Sequence, residues 1–536
     1  MKRVLSGLFA GWLLLALLNT GAAEPLPAIL NVHFAGSHLI GTDPLSAGPA
    51  EIFNCPEAQA LTRQTLDKLA AFPRTWLANT LPAGTGDGAA LVRPLLDDLV
   101  TSEWRMRLTA SFGPKPDFLL AVRLDSGREA VWKQNLSSLL SLWGAGQPQI
   151  IGHGLMWTLP ASGMKVGLEL EQGWSVLYTG TKPPVMDHQL LAPEPAGTWI
   201  TVDADSQLVS RLWPEWTLKD LPGVHLEVRG HGQDMLIHGR AEFAGATPSA
   251  LPEWRLPLKA IHSPFVSFTA ARGFSRWLQE QPWYPTVAIE PTPDELFTWC
   301  LPVNPFQSYV AIPVDSPENA WTQWTSRWQA ALAKWNGEKK FLLPLTVSPN
   351  PQRHESKLNG LPPITLPFWQ AWQEPAGGFL LAGLFMNSPK STAFPADLLA
   401  QLNQPNTVFF HWEFTSQRMP EFLEACQLSL VVTKHKQLSA SSAASKWLNR
   451  IGPTLKNSIT SAKIVQPGQL DFTRTSQAGL TASELYLLAN WLEATNFPGC
   501  DLRLPPQTLP KFRHPHPPGG TPPGAPGMAP PLPTPH

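Results

Sequence analysis

"LAVRLDSGREAVWKQNLSSLLSLW", from Leu120 to Trp143, and "VAIPVDSPENAWTQWTSRWQAALAKW", from Val310 to Trp335, are the same phrase written twice. Aligned without gaps, Ala121 faces Ala311, Val122 faces Ile312, Leu124 faces Val314, Asp125-Ser126 faces Asp315-Ser316 and Ala130 faces Ala320. Each phrase opens on an apolar, β-prone run, the pattern of a strand entering a core. Asp-Ser then stops the strand. Ser126 stands three residues before Glu129, the spacing of a capping box. Ser316 precedes Pro317, which suits the first helical position, and Glu318, which suits the electropositive first turn. The phrase therefore reads strand, N-cap at Ser126 or Ser316, amphipathic helix. As turn residues beside a cap, Asp125 and Asp315 need no catalytic role.

Three further matches follow the same order. "PAILNVHFAG" (Pro27–Gly36) resembles "PFVSFTAARG" (Pro264–Gly273), and "GWSVLYTG" (Gly173–Gly180) resembles "GGFLLAGL" (Gly377–Leu384). "GTWITVDADSQLVSRLW" (Gly197–Trp213) resembles "NTVFFHWEFTSQRMPEFL" (Asn406–Leu423). Collinear self-similarity is the mark of a repeated unit. The expected fold is α+β: two divergent repeats, 24–252 and 253–499, each an antiparallel sheet with helices packed on one face. The first carries an extra helical insertion, Glu57–Phe72, and the second a longer helical stretch, Met419–Ile451. Each closes on a hairpin, one turning at Gly230-His231-Gly232 and the other at Pro467-Gly468. The last helix is capped by Thr481 with Glu484 completing the box, Leu480 and Leu485 forming the staple, and Asn496-Phe497-Pro498-Gly499 ending it.

The ends of the chain have a different character. Lys2 and Arg3 precede an apolar run from Val4 to Leu18, and Gly21-Ala22-Ala23 precedes Glu24, the layout of a secretory signal peptide over 1–23. Its apolar run is short for a bilayer span, and no later stretch is long and apolar enough to cross a membrane. Residues 500–536 end in "HPHPPGGTPPGAPGMAPPLPTPH", a Pro/Gly-rich segment with little to bury, expected to be a disordered tail. The expected location is the periplasm or the exterior. Of 536 residues, 15% are charged and the net charge is −1, so no basic face points to nucleic acid. Exported chains keep disulfides, and the four cysteines, Cys55, Cys300, Cys426 and Cys500, allow three pairings or four buried thiols. Cys426–Cys500 would tie the last helix to the second repeat, leaving Cys55–Cys300 to join the two.

The layout, with the phrases "LDSGREAVW" (Leu124–Trp132) and "LTASELYLLANWLEA" (Leu480–Ala494), resembles a class of exported proteins of Planctomycetes- and Verrucomicrobia-type bacteria. In that class a signal peptide precedes two divergent α+β repeats and a low-complexity tail. The resemblance implies export and fold; it carries no activity and no functional residue.

Reactive motifs are weak. There is no P-loop, no His-Glu-x-x-His and no Gly-x-Ser-x-Gly. "GTGDG" (Gly84–Gly88) reads as a loop, and Ser162-Gly163-Met164-Lys165 lacks the partners of a Ser–Lys enzyme. His231 and His238 read as strand and turn residues, and His514 and His516 make a poor metal site without a third ligand. The acidic pairs Asp97-Asp98 and Asp203/Asp205 read as turn and cap residues. No catalytic, cofactor-binding or metal residue is assigned. The expected function is an exported non-enzymatic binding or scaffold protein of the cell envelope, its partner an envelope protein or polymer. The alternative is a secreted hydrolase of polysaccharide or peptide, built on Asp203 or Asp205 with a second carboxylate.

Overall fold

The computed structural model describes residues 28–499, apart from 77–85, 87, 110–116, 161–162, 172, 180–193, 206–221, 244–250, 262–263, 282–283, 303–306, 339–343, 362–365, 386–393, 423 and 425–438. Within them the chain forms one 20-stranded sheet in which every pairing is antiparallel. The first ten strands are β1 (Ala28–Phe34), β2 (Trp104–Thr109), β3 (Asp117–Arg123), β4 (Gln149–Ile151), β5 (Gly154–Thr158), β6 (Lys165–Glu171), β7 (Trp174–Thr179), β8 (Thr198–Ala204), β9 (Gly223–His231) and β10 (Asp234–Glu242). The second ten are β11 (Ser267–Arg272), β12 (Glu295–Cys300), β13 (Ser308–Val314), β14 (Thr346–Asn350), β15 (Glu355–Asn359), β16 (Phe368–Glu374), β17 (Gly377–Gly383), β18 (Thr407–Phe414), β19 (Asn457–Gln466) and β20 (Gln469–Ser476).

In space the first ten run 4-5-6-7-3-2-1-8-9-10. The second ten run 14-15-16-17-13-12-11-18-19-20. The two runs join edge to edge where β10 pairs with β20, Met235 opposite Ser476 and Glu242 opposite Gln469. Registers correspond as well. Leu30 faces Ala204 as Ser267 faces Glu413, and Arg105 faces Ala121 as Phe297 faces Ala311. A register shift falls between Thr198 and Ile200 and again between Thr407 and Phe409. Left-handed backbone recurs at Gly36 and Gly273, and at Gly197 and Asn406.

One register read from sequence is corrected. Arg123 faces Trp174 and Pro313 faces Phe379, so Trp174 corresponds to Phe379, one residue beyond the Gly378 it aligned with. All of β7 and the middle of β17 are buried on both faces. Without alternation, nothing in such a strand marks its register.

Five helices in successive contact form a layer on one face. In order of contact these are α3 (Ser126–Leu142), α2 (Ala89–Thr101), α1 (Pro56–Trp76), then, from the end of the chain, α6 (Ala443–Ile451) and α7 (Ala482–Glu493). Buried residues of α1 recur at Ala58, Leu61, Thr65, Leu69, and those of α7 at Ala482, Leu485, Ala489, Leu492, the spacing of one helical face. They share a core with Val32, Leu120 and Val122 of the first run. Two crossings lock the seam: Trp447 Nε1 donates to the Ile52 carbonyl at 3.1 Å, and Lys68 Nζ donates to the Leu492 carbonyl at 2.7 Å. The expected capping box at Thr481 and Glu484 is present on α7.

Around β13 and β17 the second run is covered on both faces, not one. Leu380 packs with Trp321 of α4 (Pro317–Glu338), whereas the next residue, Leu381, packs with Leu398 and Leu402 of α5 (Ala396–Leu402). Successive strand residues point to opposite faces. Aromatic side chains in β11, β12 and β18 need that second cover.

The cap of α3 also differs. Asp125, not Ser126, is the N-cap, and its carboxylate accepts the Arg128 N–H at 2.8 Å. A carboxylate satisfies an orphan first-turn donor and the local positive potential together. Asp125→Ala is expected to cost about 1 kcal/mol in urea unfolding, and Ser126→Ala a few tenths. The reverse ranking would restore Ser126 as the cap.

Candidate functional site

One row of side chains crosses fourteen strands on the face opposite the helix layer, because directly paired residues share a face. It runs Val176, Ala121, Arg105, His33, Thr201, Glu227, His238, Thr473, Ser461, Phe410, Ala270, Phe297, Ala311, Leu381. From Arg105 to Ser461 the row is polar; from Phe410 onward it is apolar. The corresponding positions differ in kind: Arg105 stands where the second run has Phe297, His33 where it has Ala270, and Thr201 where it has Phe410.

The polar part has a buried end and an open middle. At the buried end, His33 and Arg105 are 5% and 4% exposed. His33 Nε2 lies 3.2 Å from Glu103 Oε1, Arg105 Nη2 lies 3.6 Å from the same oxygen, and Arg123 Nη1 lies 2.9 Å from Glu103 Oε2. A second carboxylate, Glu194, lies 3.9 Å from Arg105. Both guanidinium groups sit over the Trp174 ring, at 5.8 Å and 5.3 Å from its centroid. Burial disfavours the Glu103 carboxylate, but the His33 bond and the charges of His33, Arg123 and Arg105 outweigh it and hold the carboxyl below its ordinary range. Nearby, burial and then Glu169 push the Tyr178 phenol up to about 12.

The open middle spans β8, β9, β10, β20 and β19, astride the seam. In the neighbouring row Asn31, Asp203, His225, Arg240, Asp471 and Lys463 succeed one another. Asp203 Oδ1 lies 2.6 Å from His225 Nδ1, and Arg240 Nε lies 3.5 Å from Asp471 Oδ1. Asp203, His225, Arg240 and Thr473 are exposed, and Thr201, Glu227, His238 and Ser461 half-buried. Alternating signs pair within the sheet, so this face offers hydrogen-bond donors and acceptors at strand spacing with little net field. That chemistry suits an uncharged or zwitterionic partner better than a polyanion.

The residues singled out in the sequence are dispersed. Asp203 meets His225 on this face, and the Asp205 N–H donates to Ile29. His238 lies in the polar row and His231 is exposed at its hairpin. Asp98 is no turn residue: it is buried between α2 and α3, accepting from Arg128 and, at 2.8 Å, from Trp132 Nε1. Cys55 and Cys300 are free thiols, so no bridge joins them. Cys55 Sγ contacts the Ile52 carbonyl and Cys300 Sγ the Ser308 hydroxyl. Cys426, Cys500, Ser162, His514, His516, the signal segment and the tail lie outside the described residues. Among the described residues no three His, Cys, Asp or Glu side chains gather as a metal site, and no helix is long and apolar enough to cross a membrane. The His33–Glu103–Arg105 cluster was not singled out. Its signal was the alternation in "EWRMRLT" (Glu103–Thr109), which puts Arg105 and Arg107 on one face of a strand.

No protein-family model matches the chain, and no curated protein does. Among solved structures, crystal form III of TP0453 is similar over 42% of this chain and 83% of its own, with 10% identity and a TM-score of 0.23. Crystal form I of TP0453 is similar over 43% and 82%, with 8% identity and a TM-score of 0.22.

Proposed function

We propose that this chain is an exported, non-enzymatic binding scaffold of the cell envelope, built from two divergent copies of one ten-strand unit. The duplication reading is supported by the shared strand order, the coincident registers and the register shifts at Thr198 and Thr407. Export rests on the signal-like segment 1–23. The binding reading rests on one observation: a single cross-strand row is apolar and covered from Phe410 onward in the second copy but polar and open where it crosses the seam. A duplicated unit that keeps one face as core and frees the other has a surface to use, and joining two units edge to edge widens it.

The partner is an envelope polymer or protein docked across β8, β9, β10, β20 and β19. Mature protein should co-sediment with one of three envelope fractions: peptidoglycan, outer membrane or periplasmic protein immobilised on beads. Thr473→Arg puts a long charged side chain at an exposed position in the middle of the face. It should weaken that binding about tenfold or more, the loss expected for an unpaired charge in an interface. Wild-type protein free of every fraction, or equal binding by the variant, would overturn the reading.

A further inference from the structure

A cleft of about 380 Å³ opens where the linker after the first run meets the second, with Trp254, Leu256, Leu258, Arg272, Leu399 and Asn403 on its walls. Arg272 ends β11 and is 8% exposed. Its Nε donates to the Thr407 carbonyl at 2.8 Å and its Nη1 to the Pro252 carbonyl, and the guanidinium lies 4.1 Å from the centroid of the Trp254 ring. Among the described residues no carboxylate oxygen is in ion-pair contact with it: Glu295, directly opposite on β12, lies 3.9 Å from Arg255, and Glu253 stands exposed on the wall of the same cleft. Burial lowers the Arg272 pKa, against the opposing charges of Glu295 and Asp294. Trp254 Nε1 is likewise buried, with no hydrogen-bond partner among the described residues.

Two buried donors without a full complement of acceptors thus border one cleft. A guanidinium has five N–H donors in a planar fork. Backbone carbonyls take two groups of that fork, and the charge itself has no counter-ion in contact. A carboxylate matches the remaining geometry and charge. Among the other walls, which include the polar Glu253, Asn403 and Gln404, the side chains of Leu256, Leu258 and Leu399 offer apolar surface to the rest of such a ligand, and the volume falls in the range of small-molecule sites.

We propose that this cleft binds a small organic monocarboxylate with an apolar body, its carboxylate on Arg272 and its body against Leu256, Leu258 and Leu399. This is independent of the role of the open sheet face.

Phenylpropionate and hexanoate, with 3-phenylpropanol as the uncharged isostere, serve as probes in calorimetry and ligand-observed NMR. At least one acid should bind saturably and the alcohol about tenfold or more weakly, the discrimination expected of a hydrogen bond to a charged group. Arg272→Gln should abolish the preference for acid over alcohol. Leu258→Trp fills the cleft from a side chain that is 40% exposed, and should block both probes without lowering the melting temperature. Saturable binding of neither acid by the wild type, equal affinity for acid and alcohol, or undiminished binding by Leu258→Trp would overturn the assignment.

Discussion

Trp447→Ala is expected to lower stability by about 3–5 kcal/mol, the range for truncating a fully buried tryptophan. Trp447 is 1% exposed; its ring lies 6.2 Å from Phe53, and its indole N–H satisfies the Ile52 carbonyl. Truncation therefore opens a cavity and removes the stronger of two donors to the Ile52 carbonyl, leaving it the weak Cys55 thiol. The residue comes from the second run and fills the core of the first. Urea unfolding followed by near-ultraviolet dichroism and by limited proteolysis of both runs should show them destabilised together. A loss below about 1 kcal/mol, the ordinary effect of a surface substitution, would mean that α6 does not close this core.

Glu103→Ala should also be damaging, about 3 kcal/mol, because it removes the acceptor that buried His33 and Arg105 share and leaves Arg105 only its longer contact to Glu194. Glu103→Gln separates charge from shape. The folded carboxyl has its pKa below the ordinary value of 4.5, so the unfolded state binds the proton more readily. Its contribution is therefore complete above pH 4.5 and is lost as pH falls through the folded value. The stability gap between wild type and Glu103→Gln should accordingly be widest at neutral pH and shrink below pH 4.5. A gap that stays constant on acidification would show that Glu103 acts by packing alone.

Sequence periodicity reached part of this architecture. Ala121 and Ala311 hold like places in their strand orders, and the sequence signals this because Asp-Ser follows each strand at the same distance and opens a helix. Leu30 and Ser267 were matched because Gly36 and Gly273 must both take left-handed backbone, which glycine accepts without strain. In β7 and β17 that information was missing, since burial on both faces removes alternation. The cap of α3 was misplaced by one residue because Asp125 and Ser126 are both good caps, and only the Arg128 N–H direction decides between them. The candidate site was less legible. "EWRMRLT" announces a strand with one polar face, but whether that face meets water or a buried histidine depends on pairing with β1, 70 residues earlier in the case of His33 and Glu103. Nor does anything local in "SKWLNR" (Ser445–Arg450) say that its tryptophan belongs to a core begun at the other end of the chain.

That last arrangement governs the order in which the molecule is made. Ile52 and Trp447 are separated by 395 residues. A nascent chain that has delivered β1 through β10 has all the strands of the first run, yet lacks α6 and α7, which cover part of its apolar face. Loop closure over so long a span is entropically costly, and contacts of this kind form late. The first half must therefore wait, incompletely covered, until the last quarter of the polypeptide arrives. The interval between synthesis and completion is the period in which this protein is most open to a chaperone, a translocation channel or a protease.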